Sequence, residues 1–301
     1  MRPPSGQQFE IAHGDQHAVV VEVGGGLRSY TVGGRNVIEG YGVDEMARAG
    51  RGQVLLPWPN RLQDGIYEFD GERYQLALTE PEHANAIHGL VSWTSWQARE
   101  QAPHRVVLQH IVHPQPGYPF TLGVEIAYEL GVDGLSVQTT ATNVGEAPCP
   151  YGCGAHPYLT VGTESVDDIV LQIPARTALR SDARGIPTGT VAVDGTELDF
   201  RTARRIAETR LDNGYTDLER DEARLCLVEL TTHDGSSRVT LWLDESYPYL
   251  MVFTGDRPDV QRRGLAVEPM TCPPNSFRSG EGLIRLDPGA SVTTGWGIAT
   301  G

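Results

Sequence analysis

Glycine and proline interrupt this chain along its whole length, and the segments between the interruptions are short. The 301 residues include 35 glycines and 20 prolines, which are spread out instead of being gathered into one linker. Short segments rich in β-branched and aromatic residues, bounded by such breakers, are typical of β-strands. Eight segments are predicted as strands: 18–23, 106–111, 122–130, 135–142, 169–173, 225–230, 239–243 and 249–254.

Turn motifs between the predicted strands indicate antiparallel hairpins. These motifs lie at 132–134, 194–195 and 233–236, each with a glycine beside an aspartate. Helical patterning is weak, and its best segment, 202–210, predicts one brief helix. No composition shift, repeat or low-complexity tract marks a boundary. We therefore predict an all-β fold, a large antiparallel β-sandwich with few short helices, in which residues 1–301 form one domain.

The charge balance disfavours a nucleic-acid partner. Lys and Arg number 24 against 39 Asp and Glu, so the formal net charge is −15. Phosphate neutralisation requires a clustered cationic face, and the longest cationic runs here are pairs of arginines. All of these cations are arginine, because the sequence contains no lysine. A Schiff-base mechanism and a lysine-bearing phosphate loop are therefore excluded.

The sequence offers no membrane segment and no secretory signal. No apolar run approaches the roughly 20 residues that cross a bilayer, and residues 1–8 lack the apolar region of a signal peptide. A soluble cytoplasmic protein without a membrane partner is expected. The four cysteines show neither disulfide nor metal spacing, so reduced, unpaired thiols are predicted.

The segment 57–61, Pro-Trp-Pro-Asn-Arg, combines a rigid turn with polar groups. Trp58, Asn60 and Arg61 together could stack on a polyol and hydrogen-bond to it. The alternative is a structural turn whose arginine pairs with a nearby carboxylate.

Two histidines and one glutamate follow similar turn-rich patterns. His88 adjoins Gly89, and His156 is stiffened by Pro157. Glu268 closes an apolar run and precedes a proline-rich turn. A carboxylate in a partly apolar site has a raised pKa suited to general-base chemistry, whereas a strand-end glutamate can also simply face water. The wide spacing of the three residues gives no metal signature, and no metal is predicted.

These motifs resemble, in order and in composition, those of the aldose 1-epimerase (galactose mutarotase) family. The resemblance covers nearly the whole chain. Its motifs are Asn60-Arg61, 85–89, Gly154-Ala155-His156-Pro157-Tyr158, 212–215 and Val267-Glu268-Pro269. It implies a galactose mutarotase-like sandwich that binds a pyranose on a concave face and needs no cofactor.

The resemblance also implies roles for individual residues. Glu268 corresponds to the general base and His156 to the general acid. Arg61, His88 and Asp212 correspond to groups that hold the sugar, and Asn60 adjoins them. The family often has a histidine after the aspartate, whereas here Asn213 follows Asp212, and the nearby Asp217 is a second candidate for that role.

The expected activity is interconversion of the α and β anomers of a free aldohexose such as glucose or galactose. One base and one acid suffice, with Glu268 ionised and His156 protonated near neutral pH, a state that a nearby Asp212 would favour. The preferred aldose, the oligomeric state and any tryptophan that stacks on the sugar are left open.

Two other functions stay open at this stage. A relative acting on hexose 6-phosphates or other modified sugars would need extra cations at the pocket rim, for which Arg28, Arg51 and Arg278 are available. A carbohydrate-binding protein without catalysis would use exposed tryptophans among Trp58, Trp93 and Trp96.

Overall fold

Strands and tight turns make up nearly all of the fold. The computed structural model describes residues 2–258 and 260–301. In chain order the strands are β1 (Gln8–His13), β2 (Gln16–Val21), β3 (Leu27–Val32), β4 (Arg35–Asn36), β5 (Val54–Leu55), β6 (Arg61–Gln63), β7 (Ile66–Phe69), β8 (Glu72–Gln75), β9 (Asn85–Ile87), β10 (Gln97–Ala102), β11 (Arg105–Val112), β12 (Leu122–Gly131), β13 (Gly134–Asn143), β14 (Cys149–Tyr151), β15 (Gly154–Ala155), β16 (Tyr158–Leu159), β17 (Val170–Gln172), β18 (Ala175–Ser181), β19 (Pro187–Ala192), β20 (Arg204–Arg205), β21 (Asp212–Leu218), β22 (Cys226–Thr231), β23 (Arg238–Leu243), β24 (Tyr249–Phe253), β25 (Leu265–Met270), β26 (Ile284–Leu286) and β27 (Ser291–Thr300).

Helical structure is limited to short turns. The one α-helix of the described chain is α1 (Ser276–Ser279), and three 3₁₀ turns lie at Arg48–Gly50, Pro81–His83 and Val166–Asp168. No helix of the described residues has the length and apolar character needed to cross a bilayer.

Two large antiparallel sheets form the sandwich. The nine-stranded sheet has the order β10-β11-β12-β13-β27-β23-β22-β17-β20, and the eight-stranded sheet contains β19-β18-β21-β24-β25-β15-β5, with β16 also paired to β25. Apolar side chains of both sheets belong to one buried cluster, which includes Ile126 and Val137 from the first sheet and Leu250 and Val267 from the second. The fold is therefore all-β, as predicted.

The burial pattern distinguishes β12, a strand with one partly exposed face, from β25, the strand that carries Glu268. Residues of β12 alternate between buried and partly exposed positions, which is the pattern of a sheet with one covered face. Every residue of β25 is buried. Its Val267 faces the sandwich core, whereas Ala266 belongs to a second small cluster with Tyr158 and Val260. Because side chains alternate along a strand, Glu268 shares the face of Ala266.

All eight predicted strands are present, with ends shifted by no more than two residues. The hairpins at 132–134 and 233–236 are confirmed, since they join the antiparallel pairs β12–β13 and β22–β23. The hairpin predicted at 194–195 is wrong. A turn does occur there, but it joins β19, which pairs with β18, to a segment leading to β20 in the other sheet.

The helix predicted over 202–210 is also wrong. Arg204–Arg205 forms β20 and pairs with Val170 and Leu171 of β17. The Arg204 guanidinium lies 3.7 Å from the centre of the Phe200 ring, and Ile206 is fully buried. Tertiary packing therefore overrides the weak helical propensity of this segment.

The four cysteines, Cys149, Cys153, Cys226 and Cys272, are all buried and free, in agreement with the prediction of unpaired thiols.

Truncation of a core residue tests the assignment of the sandwich interior. Ile126 is completely buried, and Ile126→Ala is expected to lower the free energy of unfolding by about 2–5 kcal/mol because it leaves a cavity. Val132→Ala, at an 85% exposed hairpin position, is the control and should change it by less than about 0.5 kcal/mol. Equal effects of the two substitutions, measured by denaturant unfolding, would contradict this view of the core.

Candidate active site

Strand register places His156 opposite Glu268. In the eight-stranded sheet, Gly154 of β15 pairs with Met270 and Tyr158 of β16 pairs with Ala266, both antiparallel to β25. The residue midway between these two pairs is His156, and its counterpart on β25 is Glu268. Pro157 has no N–H to donate to β25, but its carbonyl accepts from the Val267 N–H. The His156 backbone bonds on the other side, to Gln53 and Gly52, in the register of the β15–β5 pair.

The two side chains meet in a buried contact. Nε2 of His156 lies 3.3 Å from Oε1 of Glu268, and the side chains are only 6% and 3% exposed. The second carboxyl oxygen of Glu268, Oε2, has no hydrogen-bond partner among the described residues although it is buried. A buried polar atom without a partner is costly, so this oxygen is oriented to bond a group that the protein does not supply.

The imidazole ring of His156 is held by packing on its faces. It stacks on Tyr158 with ring centres 5.0 Å apart, and the Tyr158 hydroxyl donates to the backbone oxygen of Ala49. Gly50 approaches the ring so closely that a Cβ there would lie 2.7 Å from Cδ2 of His156. Gly50 also has a positive φ of 75°. Two independent features therefore favour glycine at this position.

Burial determines the protonation of the pair. It lowers the pKa of His156 to about 3 and raises the pKa of Glu268 well above its ordinary value, with the Asp212 carboxylate adding to that rise. Both shifts favour the neutral forms of the two groups. The sequence-based hypothesis of a protonated His156 beside an ionised Glu268 is therefore corrected. Asp212 does not favour that state as expected, because its carboxylate raises the pKa of Glu268 while burial lowers the pKa of His156.

His88 is oriented by the backbone of Asn60. The backbone N–H of Asn60 donates to Nδ1 of the His88 ring at 3.2 Å. The backbone N–H of His88 donates to the Asn60 carbonyl at 3.0 Å. Both residues have positive φ angles. An imidazole that accepts at Nδ1 carries its proton on Nε2 when it is neutral, and burial holds the pKa of His88 well below its ordinary value. His88 is thus a hydrogen-bond donor through Nε2.

One group of potential metal ligands lies in the same place. Single ligand atoms of His88, His156 and Glu268 all lie within 4.8 Å of one another. Ligation through Nε2 of His88 would require loss of the proton that its Nδ1 contact places there. The cluster therefore suits hydrogen bonding to a polar ligand better than metal coordination.

Arg61 lies between two carboxylates. Its Nε lies 3.0 Å from Oε2 of Glu80, and its Nη1 lies 3.8 Å from Oδ2 of Asp212. Burial raises the pKa of Glu80, but the hydrogen bonds from Arg61 and Asn85 outweigh that effect and leave it below its ordinary value. The alternative left open by the sequence, pairing of Arg61 with a carboxylate, is therefore present, and the same arginine lines the cleft.

The sequence-predicted site residues come together in one cleft of about 560 Å³. All six candidates, Asn60, Arg61, His88, His156, Asp212 and Glu268, line it. Asp217 lies at the other end of β21, where it accepts a hydrogen bond from Thr177. Of the two aspartates, only Asp212 lines this cleft.

Other residues named from the sequence lie away from the cleft. Trp58 and Trp96 are buried in the core, and the 58% exposed Trp93 lines a neighbouring groove with Met46. None of the three arginines considered for a phosphate lines the cleft either. Arg28 contacts Gln8 and Tyr41, Arg51 lies over the Tyr158 ring, and Arg278 contacts Asp64.

Four residues besides the candidates line the cleft: Glu80, Tyr158, Phe253 and Arg257. Tyr158 belongs to the His156-Pro157-Tyr158 motif, whereas no sequence motif identifies the other three. Glu80 sits in an ordinary Glu-Pro turn, and its only signal is that Arg61 needs a carboxylate partner.

Comparison with known proteins agrees with the fold and with the family that the sequence resembles. The family described as aldose 1-epimerase matches residues 7–297. The chain is 38% identical over 286 residues to the uncharacterized protein YihR of Escherichia coli K12, covering 95% of this chain and 90% of that protein. It is 26% identical to the galactose mutarotase of Sus scrofa, over 71% of this chain and 64% of that protein.

Solved structures show the same fold at low identity. A GalM/aldose epimerase homologue from C. elegans superimposes with a TM-score of 0.88 at 19% identity, covering 98% of both chains. A galactose 1-epimerase from Lactobacillus acidophilus superimposes with a TM-score of 0.80 at 22% identity, covering 96% of this chain and 93% of that chain.

Substitution of Gly50 tests the packing around His156. Gly50→Ala should displace the imidazole and lower the free energy of unfolding by more than the roughly 1–2 kcal/mol that a left-handed alanine costs alone. Gly71→Ala is the matched control, because Gly71 has a φ of 81° and open space around it. Histidine ring signals in ¹H–¹⁵N NMR spectra should change only in the first variant. Identical spectra and stabilities would refute a steric role.

The raised pKa of Glu268 predicts a pH-dependent stability difference. Below pH 4.5, the ordinary pKa of a glutamate, the carboxyl is protonated in both the folded and the unfolded protein. Above that pH the unfolded chain releases its proton while the folded protein keeps it, so wild type loses stability as the pH rises. Glu268→Gln mimics the protonated acid and should escape this loss.

The free energy of unfolding of Glu268→Gln minus that of wild type is therefore expected to grow between pH 4 and pH 8. Urea titrations at several pH values measure it. A constant or shrinking difference would show that Glu268 is ionised in the folded protein.

Proposed function

Because the chain belongs to the aldose 1-epimerase family, we propose that it interconverts the α and β anomers of an aldose by opening and reclosing the sugar ring. The observation that carries the proposal is the 3.3 Å contact between Nε2 of His156 and Oε1 of Glu268 in a polar cleft. Ring opening needs one proton acceptor and one proton donor close together, because O1 and the ring oxygen O5 are bonded to the same carbon.

In the proposed reaction Glu268 is the base and His156 is the acid. The Glu268 carboxylate removes the O1 proton, the C1–O1 bond becomes a carbonyl, and the C1–O5 electron pair leaves with O5. The imidazolium of His156 transfers its Nε2 proton to that oxygen. Rotation about C1–C2 exposes the other face of the aldehyde. Ring closure reverses both proton transfers and produces the other anomer.

Burial supports this chemistry energetically. Before ring opening the pair is charged, and after it the pair is neutral, with a protonated Glu268 and a neutral His156. The same loss of solvent that raises the pKa of Glu268 and lowers that of His156 makes the carboxylate a stronger base and the imidazolium a stronger acid. The charged form is reached when one proton crosses the 3.3 Å contact, and sugar hydroxyls that bond the carboxylate stabilise it.

Sugar binding is proposed for the remaining polar residues of the cleft. Arg61 and Nε2–H of His88 supply donors, and the carboxylate of Asp212, whose side chain is 53% exposed, supplies an acceptor. Asn60 acts mainly through its backbone, since its N–H orients His88 and its side-chain oxygen accepts from the Arg61 N–H. Fixed donors and acceptors of this kind position the reacting atoms.

A free aldohexose such as galactose or glucose is the proposed substrate. Two similar proteins are named galactose mutarotase and galactose 1-epimerase. The arginines considered for a phosphate, Arg28, Arg51 and Arg278, lie outside the cleft lining, and the arginines that line it are Arg61, which is paired with Glu80, and Arg257. The four free, buried cysteines are typical of a reducing compartment, and we propose the cytoplasm.

Polarimetry on freshly dissolved α-D-galactose and α-D-glucose tests the proposal. Wild type should accelerate the approach to equilibrium rotation. Glu268→Gln should reduce kcat by about 10²- to 10⁴-fold, the usual worth of one general base, while sugar binding measured by calorimetry persists. Glu222→Gln, at an exposed position outside the cleft, is the control and should retain the full rate.

Other outcomes separate the alternatives. Acceleration with glucose 6-phosphate alone would overturn the free-aldose substrate but not the ring-opening chemistry. Sugar binding without acceleration of any anomer exchange would overturn catalysis and leave a carbohydrate-binding protein.

A further inference from the structure

Glu80 makes several polar contacts in the cleft. Its carboxylate accepts from Nε of Arg61 at 3.0 and 3.2 Å and from Nη2 of Arg61 at 3.1 Å. It also accepts from Nδ2 of Asn85 at 2.8 Å, and Oε1 lies 3.2 Å from Nδ1 of His83. The side chain is 11% exposed. A partly buried carboxylate with this many donors occupies one well-defined orientation.

The turn that carries Glu80 is closed on itself. Backbone hydrogen bonds join Glu80 and Asn85 in both directions, at 3.0 and 3.1 Å, across the 3₁₀ turn Pro81–His83. Strand β9 begins at Asn85 and pairs with β6, which begins at Arg61. The backbones that carry the carboxylate and the guanidinium are therefore joined by hydrogen bonds. The antiparallel pairing of β6 and β9 sets the distance between the two groups.

A second loop braces this turn from outside. Arg184 donates to the backbone oxygens of His83 and Ala84 at 2.8 and 2.7 Å, and its own carbonyl accepts from Nδ2 of Asn85 at 2.9 Å. The next residue, Gly185, lies against Arg61, since a Cβ there would come within 2.5 Å of Nη1. The turn, the brace and Arg61 thus form one connected polar unit.

The contacts divide the guanidinium of Arg61 into two edges. Nε and Nη2 donate hydrogen bonds to Glu80, whereas Nη1 is the nitrogen nearest to the Asp212 carboxylate. A planar guanidinium fixed along one edge has its other donors fixed in direction as well. We propose that Glu80 is a positioning residue that locks Arg61 through the Nε/Nη2 edge, so that Nη1 is presented to a sugar hydroxyl together with Asp212.

This assignment rests on the proposed function for its effect on turnover, but the lock itself is independent of any substrate. Without Glu80, the Arg61 side chain regains its rotamers and must lose that freedom again when the sugar binds. The cost falls equally on the bound sugar and on the transition state. The expected signature is therefore a raised KM with a nearly unchanged kcat.

Glu80→Gln is the primary test, because it keeps the size of the side chain and removes the charged acceptor. Its KM should rise about 5- to 10-fold, which corresponds to the cost of re-ordering one freed long side chain when the sugar binds. Glu219→Gln is the matched control. It breaks an exposed Arg176–Glu219 pair with a 2.7 Å contact outside the cleft and should leave KM unchanged.

A double-mutant cycle distinguishes positioning from direct sugar contact by Glu80. Lysine at position 61 has no fork for Glu80 to hold, so in an Arg61→Lys background Glu80→Gln should change KM by less than about threefold. Additive effects in the double variant would overturn the proposal and assign Glu80 its own contact with the sugar. If Glu80→Gln fails to fold, Glu80→Asp, which retains the charge but shortens the reach, enters the same cycle.

A measurement without substrate keeps the proposal separate from the proposed function. The Arg61 Nε–H signal in ¹H–¹⁵N NMR spectra should be protected from solvent exchange in wild type and lose that protection in Glu80→Gln. Protection that persists in the variant would overturn the lock. Loss of protection in a protein that turns over no sugar would leave the lock intact and overturn only the proposed function.

Discussion

The antiparallel ladder around β25 is the constraint on which the candidate site depends. Strands β15 and β16 both pair with β25, and the register of those pairs brings His156 opposite Glu268. Backbone groups of successive residues in a sheet bond to opposite neighbouring strands. The Pro157 carbonyl accepts from Val267 of β25, and the His156 backbone bonds on the other side, to Gln53 and Gly52. A rigid sheet, and not a flexible loop, thus sets the distance between the acid and the base of the proposed reaction.

The cleft contains two kinds of buried ionisable group, one that is shifted toward its neutral form and one that stays charged. His156 and Glu268 are shifted toward their neutral forms chiefly because each is removed from water, and the Asp212 carboxylate adds to the rise in the pKa of Glu268. Arg61 and Glu80 stay charged because several short hydrogen bonds replace the lost water. Burial of a charge is tolerated when it is paired and hydrogen-bonded, and otherwise the group loses its charge. The neutral pair is suited to exchange protons, and the charged pair is suited to hold a polar ligand still.

Much of the candidate site follows from motifs in the sequence. His156 and Glu268 sit in short patterns whose backbone restrictions come from adjacent prolines, and both line the cleft. The sequence did not identify Glu80 as a cleft residue, because its contact with Arg61 joins residues 19 positions apart and no feature of its own turn indicates that contact. Trp58 lies only three residues before Arg61 in sequence, yet it packs against Phe277 in the core with ring centres 5.5 Å apart. Adjacency along a chain does not decide which face of a turn a side chain occupies.

The sequence by itself determined the all-β class, the eight main strands and two hairpins, since alternation and turn chemistry act over a few neighbouring residues. Only the tertiary structure decided the pairings over longer distances. It placed Arg204–Arg205 in a strand beside β17, paired β19 with β18 and brought Glu80 into contact with Arg61. It also decided the protonation of His156 and Glu268. Desolvation is a property of everything packed around a group, and those surroundings come from segments that are distant in the chain.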